Sequence, residues 1–476
     1  MAKKQTAHFI GICGAGMSAA AVLLKEAGWK ITGSDAGVYD PIAGYLKKNK
    51  IAFSVGHKAV NIPKDADLIV IGRHAKLVPN ENAEVKAAFA SGVPVKSLPE
   101  VLAMLSESKN NIIVAGSYGK STATALISWC LMQAKKDPSY FIGAIPSGTG
   151  KSSHLGKGNE FVLEGDEYPS ANWDDRSKFL HFSPASVLLI SAEHDHLNVF
   201  PTEASYVAPY RKLAMKIPKS GLLVYAKNAK NTGKVAEHAK GRTVSYAFAD
   251  KKPARRGGAN WYAQNIQYGV QTSFDLMNGK KKVVRIKTKL LGNHNIENII
   301  GVGALLLEQN LITPLQFAKA VAIFSGIKRR IELLTEKSAV PVYEGFGSSY
   351  QKAKVIFDAL KLHFPKKRIV AVFEPHTFSW RNRGALKWYK DIFADVAEVI
   401  LLPPPGHGAT THDQLSGKEI FAAIPNTGKH YATTEKEALA LLKKIVKKGD
   451  VLALISSGSL LGLSKSVPKA LEKNSK

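Results

Sequence analysis

A chain of 476 residues is too long for one ordinary core and suits two to four domains, with three the middle expectation. Its 45% hydrophobic and 22% charged residues exclude wholesale disorder and fibrous repeats. Lys+Arg 66 against Asp+Glu 38 give a formal net charge of +28, which raises the question of nucleic acid.

The basic residues are scattered, however, over Lys3-Lys4, Lys251-Lys252, Arg255-Arg256, Lys280 to Lys282, Lys328 to Arg330, Lys366 to Arg368 and the tail Lys469 to Lys476. No interleaved aromatic platform accompanies them, so a solvated surface that attracts small anionic substrates is expected, with no nucleic-acid partner. Two cysteines, Cys13 and Cys130, supply neither a disulfide framework nor a four-thiolate zinc site. No run reaches the roughly 18 apolar residues of a membrane span, and a cytoplasmic protein is expected.

The chain opens with a strand, Phe9-Ile10-Gly11-Ile12, a tight loop Gly14-Ala15-Gly16, a helix from Met17 to Ala27, and a second strand at Lys30-Ile31-Thr32. A βαβ unit that depends on these residues argues against a cleaved leader. Strands near His8–Ile12, Trp29–Gly33, Leu68–Gly72 and Val93–Lys96 alternate with helical stretches, as in a parallel α/β domain. Within it, Gly14-x-Gly16-x-x-Ala19 opens a helix, and Asp35 follows nineteen residues after Gly16, at the end of the next strand. Backbone N–H groups at such a helix end suit a phosphate, and the carboxylate suits a ribose or sugar hydroxyl. The pattern does not separate a dinucleotide from a UDP-sugar.

Ser106-Glu107-Ser108-Lys109-Asn110 reads as a linker, and a second α/β block begins at Asn111. Its first strand runs into Gly116-Ser117-Tyr118-Gly119-Lys120-Ser121-Thr122, a shortened phosphate loop. Gly116 and Gly119 let the backbone curl around phosphate oxygens, Lys120 supplies a cation, and the Ser121 hydroxyl can ligate Mg²⁺. ATP or GTP is the expected ligand. Glu164-Gly165-Asp166-Glu167-Tyr168 and Glu193-His194-Asp195-His196 each follow a buried strand, where α/β sheets place their ligands. Glu164 is a natural Mg²⁺ ligand; His196 is less usual and suits the metal, its outer shell or a transition-metal site. Trp261 to Leu291 alternates as antiparallel strands do, and after Gly326 the βαβ rhythm resumes through Val340–Glu344, Arg368–Glu374, Val399–Leu402 and Val451–Ser456.

With these motifs in place, the chain resembles the Mur ligases of peptidoglycan synthesis and recycling. The likeness runs from Gly11-x-x-Gly14-x-Gly16-Met17-Ser18 to Ser456-Ser457-Gly458. Its most specific segment, Glu164 to Tyr168 through Arg176-Ser177-Lys178-Phe179 and His181-Phe182-x-Pro184, looks more like tripeptide-adding members than alanine-adding ones. Thr32-Gly33-Ser34-Asp35 with Tyr39, and Gly143 with Pro146, agree. The resemblance implies three domains: a Rossmann-like UDP-binding domain (1–107), a central P-loop-type ATPase domain (108–325) and a Rossmann-like carboxyl domain (326–476).

It further implies an ATP-dependent amide ligase that takes UDP-N-acetylmuramate and a peptide or amino acid. Lys120 would hold phosphates, and Ser121, Glu164 and His196 would serve Mg²⁺. Asn295 and Asn298, in Gly292-x-His294-Asn295-x-x-Asn298, match an adenine-binding motif, and Arg330 matches an arginine that reaches the nucleotide. The glycine loop and Asp35 would face the UDP moiety, and Glu374-Pro375-His376 would line the carboxyl side of the cleft. The chain departs from the family in three places. Tyr118 and Ser121 stand where His and Thr are usual. The Asp-Asp-Phe-Ala-His-His-Pro segment reads Glu344-Gly345-Phe346-Gly347-Ser348-Ser349-Tyr350, and arginines after His376 are displaced to Arg381 and Arg383.

Overall fold

The computed structural model describes residues 4–37, 42–196, 199–248, 259–335, 338–406 and 414–473. Tyr39, the basic pairs Lys251-Lys252 and Arg255-Arg256, and the last three residues lie outside them.

The first sheet is built from short runs with a fully or largely apolar face: β1 (Thr6–Ile10), β2 (Lys30–Asp35), β3 (Ala52–Val55), β4 (Leu68–Ile71) and β5 (Val95–Ser97). Their order is β3-β2-β1-β4-β5 and every pairing is parallel, the Rossmann arrangement. All residues of β1 and β4 are buried, as expected of central strands covered on both faces. The helix Ala15–Glu26 begins two residues earlier than its apolar pattern suggested, so Gly16 belongs to its first turn. Gly14, extended at φ −62° and ψ 137°, takes the cap position, and its carbonyl receives the Ser18 N–H at 2.9 Å.

The second sheet holds β6 (Asn110–Ala115), β7 (Ser139–Phe141), β8 (Ser153–His154), β9 (Glu160–Gly165), β12 (Pro184–Leu189), β13 (Leu222–Ala226) and β14 (Arg242–Tyr246); β10 (Pro169–Ala171) and β11 (Asp174–Ser177) form a separate ribbon. The core order β14-β13-β12-β6-β9-β7 is parallel, and β8 closes the edge antiparallel to β7. The alternating stretch forms three strands, β15 (Trp261–Gln267), β16 (Thr272–Asn278) and β17 (Lys281–Thr288), with β15 joined parallel to β14. The polar stretch 106–110 is not a free linker: Ser106 ends the helix Leu98–Ser106 and is fully buried, and Asn110 already belongs to β6.

The third sheet contains β18 (Arg330–Leu333), β19 (Val342–Gly345), β20 (Ile369–Phe373), β21 (Glu398–Leu401), β22 (Lys429–Tyr431) and β23 (Val451–Ile455) in the order β18-β19-β23-β20-β21-β22. Only β18 runs antiparallel. The chain forms two compact units. One comprises Met1–Gln264, Asp275–Ile286 and Glu297–Ala322; the other comprises Asn265–Phe274, Lys287–Ile296 and Ile323–Lys476. No helix among the described residues is long and apolar enough to cross a membrane.

Candidate active site

In the first unit, β1 ends at a turn made by Gly11, whose φ of +82° suits glycine. The N–H groups of Gly11 and Ile12 donate to the Ser34 carbonyl at 2.8 and 3.0 Å. Asp35 acts on the same loop: its Oδ2 accepts the Cys13 N–H at 2.8 Å. Gly11 and Asp35 therefore shape the loop and are not among the residues lining the cavity beside it. Gly14, Gly16, Met17 and Ser18 do line that cavity, which measures about 580 Å³. The helix entering there has no acidic residue in its first turn and no side-chain cap, leaving its N–H dipoles for an anion.

The phosphate loop packs against Ser191, two residues beyond the end of β12. Gly116 has φ +150°, and a Cβ there would lie 2.9 Å from the Ser191 nitrogen, so no larger residue fits. The Ser191 hydroxyl accepts the Ser117 N–H at 2.9 Å, fixing the loop's first turn. Gly119, left-handed at φ +80°, caps the helix Lys120–Gln133, where Asn298 Oδ1 packs against its α-carbon face. The Lys120 ammonium donates to the Gly116 carbonyl at 2.6 Å and to Glu167 Oε2 at 2.8 Å. Ser121 donates its hydroxyl proton to Glu164 Oε1 at 2.9 Å, and the other carboxylate oxygen of Glu164 accepts the Gly143 N–H at 2.7 Å. Thr122 is buried in the first turn.

Glu164 also lines the cavity that carries the amino-terminal glycine loop. Across that wall lie Lys48, Arg73 and Lys178, three cations the sequence reading did not single out for the site. Lys178 pairs with Asp166 at 2.5 Å. Burial pushes the Asp166 carboxyl up, but the Lys178 charge and hydrogen bond, with the Tyr168 N–H and Lys120, hold it below its ordinary range. One chamber thus joins a helix amino end, a cationic wall and a carboxylate hydrogen-bonded to the phosphate loop. Such a chamber suits a phosphorylated sugar whose reacting group must meet a transferable phosphate.

Residues 6–110 match the family model described as "Mur ligase family, catalytic domain", and residues 114–306 match "Mur ligase middle domain". The UDP-N-acetylmuramate--L-alanyl-gamma-D-glutamyl-meso-2,6-diaminoheptandioate ligase of Escherichia coli (strain K12) is 28% identical over 473 residues, 98% of each chain. A UDP-N-acetylmuramate--L-alanine ligase of Chlorobium phaeobacteroides (strain BS1) is 31% identical over 374 residues, covering 78% of this chain and 76% of that one. Among solved structures, the UDP-N-acetylmuramate-alanine ligase of Thermotoga maritima shares the fold at a TM-score of 0.74 and 22% identity, covering 99% of this chain and 100% of that one. The chain belongs to the Mur ligase family.

Mur ligases are ATP-dependent amide ligases. In this Mur ligase the residues fit Mg²⁺ at one place: Ser121 and Glu164 offer two adjacent oxygens, the small protein share a phosphate-bound magnesium ion needs. Bound there, the ion would neutralise charge on a transferring phosphoryl group. His196 stands beside the same loop through Glu167, which accepts from Lys120. Its Nε2 faces Glu167 Oε1 at 3.2 Å and its Nδ1 lies 2.9 Å from the Tyr168 hydroxyl, with the backbone strained at φ +57°. Among the described residues no cluster of three or more His, Cys, Asp or Glu could hold a metal by itself.

In the second unit Arg330 is exposed at the start of β18, and its neighbour Arg329 is the anchored arginine. The Arg329 Nε meets Glu344 Oε1 at 3.0 Å, and its Nη2 donates to the carbonyls of Ser456 at 3.2 Å and Gly458 at 2.5 Å. Glu374 is buried and accepts from the Ser456 hydroxyl at 2.5 Å and the Leu460 N–H at 3.0 Å. Arg381 is buried and donates to the Pro405 carbonyl at 2.9 Å, while Arg383 pairs with Glu419 at 3.1 Å. Both displaced arginines have partners within their own unit. Asn295, also buried, spends its amide on the Leu291 carbonyl at 2.8 Å.

Proposed function

We propose that this chain joins UDP-N-acetylmuramate to the tripeptide L-Ala-γ-D-Glu-meso-diaminopimelate, using ATP and passing through an acyl phosphate. The observation that carries the reading is the shared chamber: Glu164 lines the same cavity as the amino-terminal glycine loop and is hydrogen-bonded to Ser121 of the phosphate loop. In this reading residues 1–107 hold the UDP-sugar, 108–325 the ATP, and 326–476 receive the amine. Gly14, Gly16, Met17 and Ser18 present the helix end to the diphosphate, with Lys48 and Arg73 adding positive charge.

An amine cannot expel oxide from a carboxylate at neutral pH, so the acid must first be activated. The sugar's lactyl carboxylate attacks the γ-phosphorus of ATP, ADP leaves, and an acyl phosphate forms. The peptide amine then adds to the acyl carbon, and the tetrahedral intermediate collapses with loss of phosphate and a proton. Lys120 and the backbone N–H groups of the loop stabilise charge on the transferring group. Gly116, Gly119 and Thr122 shape that cradle, and Asn298 and Arg330 are assigned to the nucleotide by the family pattern. The tripeptide assignment is supported by the Glu164–Tyr168 segment and by the Escherichia coli relative.

L-alanine as the amine is the second reading, supported by the printed names of several relatives of similar identity. Phosphate release with UDP-N-acetylmuramate is to be measured against a panel containing L-alanine and the diaminopimelate tripeptide. Tripeptide-dependent release that falls by about 100-fold or more in Lys120→Ala is the expected outcome. Release unaffected by that substitution overturns the assignment, and release with L-alanine alone selects the second reading.

A further inference from the structure

Glu167 has no counterpart in the mechanism above, yet it is 1% exposed and both of its oxygens are used. Oε2 accepts from the Lys120 ammonium at 2.8 Å, and Oε1 faces His196 Nε2 at 3.2 Å. The chain of contacts extends from His196 Nδ1 to the Tyr168 hydroxyl at 2.9 Å, the two rings 4.5 Å apart. Lys120 is itself folded back over its own loop onto the Gly116 carbonyl. Two groups 76 residues apart in sequence, one heading the helix Lys120–Gln133 and one following β12, thus share one buried carboxylate.

We infer that Glu167 is a positioning residue that holds the place of a nucleotide phosphate, so that Lys120 and His196 are released together when nucleotide enters. The inference rests on reading the loop as a nucleotide site. A buried carboxylate keeps its charge only where cations or donors compensate it. A phosphate oxygen that takes the Lys120 ammonium removes the stronger of those two contacts. The same phosphate brings negative charge toward Glu167, which then favours rotation of the carboxylate away from the loop. His196 loses its Nε2 partner in that rotation, and the left-handed backbone that aims its ring at Glu167 is free to relax.

The geometry makes the carboxylate a competitor of the ligand, and removal of its charge without its shape is the direct probe. Glu167→Gln keeps an oxygen for Lys120 and supplies an N–H toward the ring. Binding of AMP-PNP to wild type and to Glu167→Gln is to be measured by calorimetry without added magnesium. A gain in affinity of about fivefold or more for the variant is expected, because no charge has to be displaced. Equal or weaker binding overturns the inference. Wild-type protein that binds no AMP-PNP at all sinks the nucleotide reading itself, a different failure.

A second measurement does not depend on the folding of Glu167→Gln. The His196 imidazole resonances of wild-type protein, assigned by comparison with His196→Gln, are to be followed as AMP-PNP is added without metal. A shift that saturates with nucleotide is expected. An unmoved resonance at saturation overturns the coupling, since a merely structural Glu167 would leave the ring in place.

Discussion

Single residues in the first unit carry charge in ways that distance along the chain conceals. Glu84 is fully buried in the first α/β layer, where it accepts from the Ser34 hydroxyl at 2.7 Å and faces His8 Nε2 at 2.8 Å and His57 Nδ1 at 3.2 Å. Burial alone would push its carboxyl up; the His8 and Ser34 hydrogen bonds, the His8 charge and His57 outweigh it and hold it below the ordinary glutamate value. A carboxyl lowered in the folded state contributes stability above its unfolded pKa, and that stability is lost as pH falls through the folded value. Thermal unfolding of wild type and Glu84→Gln from pH 7 to pH 3 measures this. The variant is expected to be less stable at pH 7 by roughly 1–3 kcal/mol, and the gap is expected to narrow as the pH falls below the ordinary glutamate range. A gap that stays constant across that range rejects the assignment. None of this network was legible in the sequence, because its members are spaced across Ser34, His57 and Glu84 and meet only through sheet order. The pairing of Glu167 with Lys120, 47 residues away, and the contacts of Arg329 were hidden in the same way; the motif residues Lys120, Ser121 and Glu164 were legible because the first two follow β6 and the third is the penultimate residue of β9.

Elements were read well where apolar runs are continuous and less well where polar residues do structural work. Central parallel strands such as β1, β4, β13, β20 and β23 fall within a few residues of their apolar runs, since burial dictates their composition, whereas the exposed edge strand β3 and the half-exposed β22 carry no such run. The stretch 106–110 looked like a linker because its side chains are polar, yet its first residue closes a helix begun by the Ser97–Glu100 capping box. The segment 344–350, where the family motif is altered, is an element-scale substitution too. Gly345 and Gly347 bring β19 and its exit against neighbouring apolar side chains: a Cβ on Gly347 would lie 2.3 Å from Ile455 Cγ2. Its carbonyl accepts the buried Trp380 indole N–H at 2.7 Å, and the Ser348 carbonyl accepts the Thr377 hydroxyl at 2.6 Å. The exit of β19 is therefore packed for glycine, and the exposed Phe346 ring above it meets the Arg329 guanidinium at 5.4 Å. Gly347→Ala, which supplies the family's alanine, is expected to destabilise the protein by about 1–3 kcal/mol through overpacking. Denaturant unfolding decides it, and a variant as stable as wild type would mean that Ile455 yields without cost.

At the scale of the whole molecule, the sources of the +28 charge are dispersed along the chain. Many of the lysines and arginines found in ion pairs are on exposed surfaces, such as Lys30 with Asp65, Lys361 with Asp395 and Arg383 with Glu419. Such pairs add little stability each, and their field is screened beyond about 8–10 Å at physiological ionic strength. Lys48 and Arg73, by contrast, open onto the chamber, where low-dielectric walls concentrate the field on an entering anion. Two substrates in the proposed reaction are polyanions, so the excess charge is expected to speed encounter and leave the chemical step alone. Raising KCl from about 25 to about 300 mM is therefore expected to raise KM for the UDP-sugar several-fold while kcat changes less than twofold. The double variant Lys48→Gln/Arg73→Gln is expected to remove much of that salt dependence. Were kcat to carry the salt effect instead, the charge would be acting on closure or chemistry, and the dispersed surface cations would have no part in substrate capture.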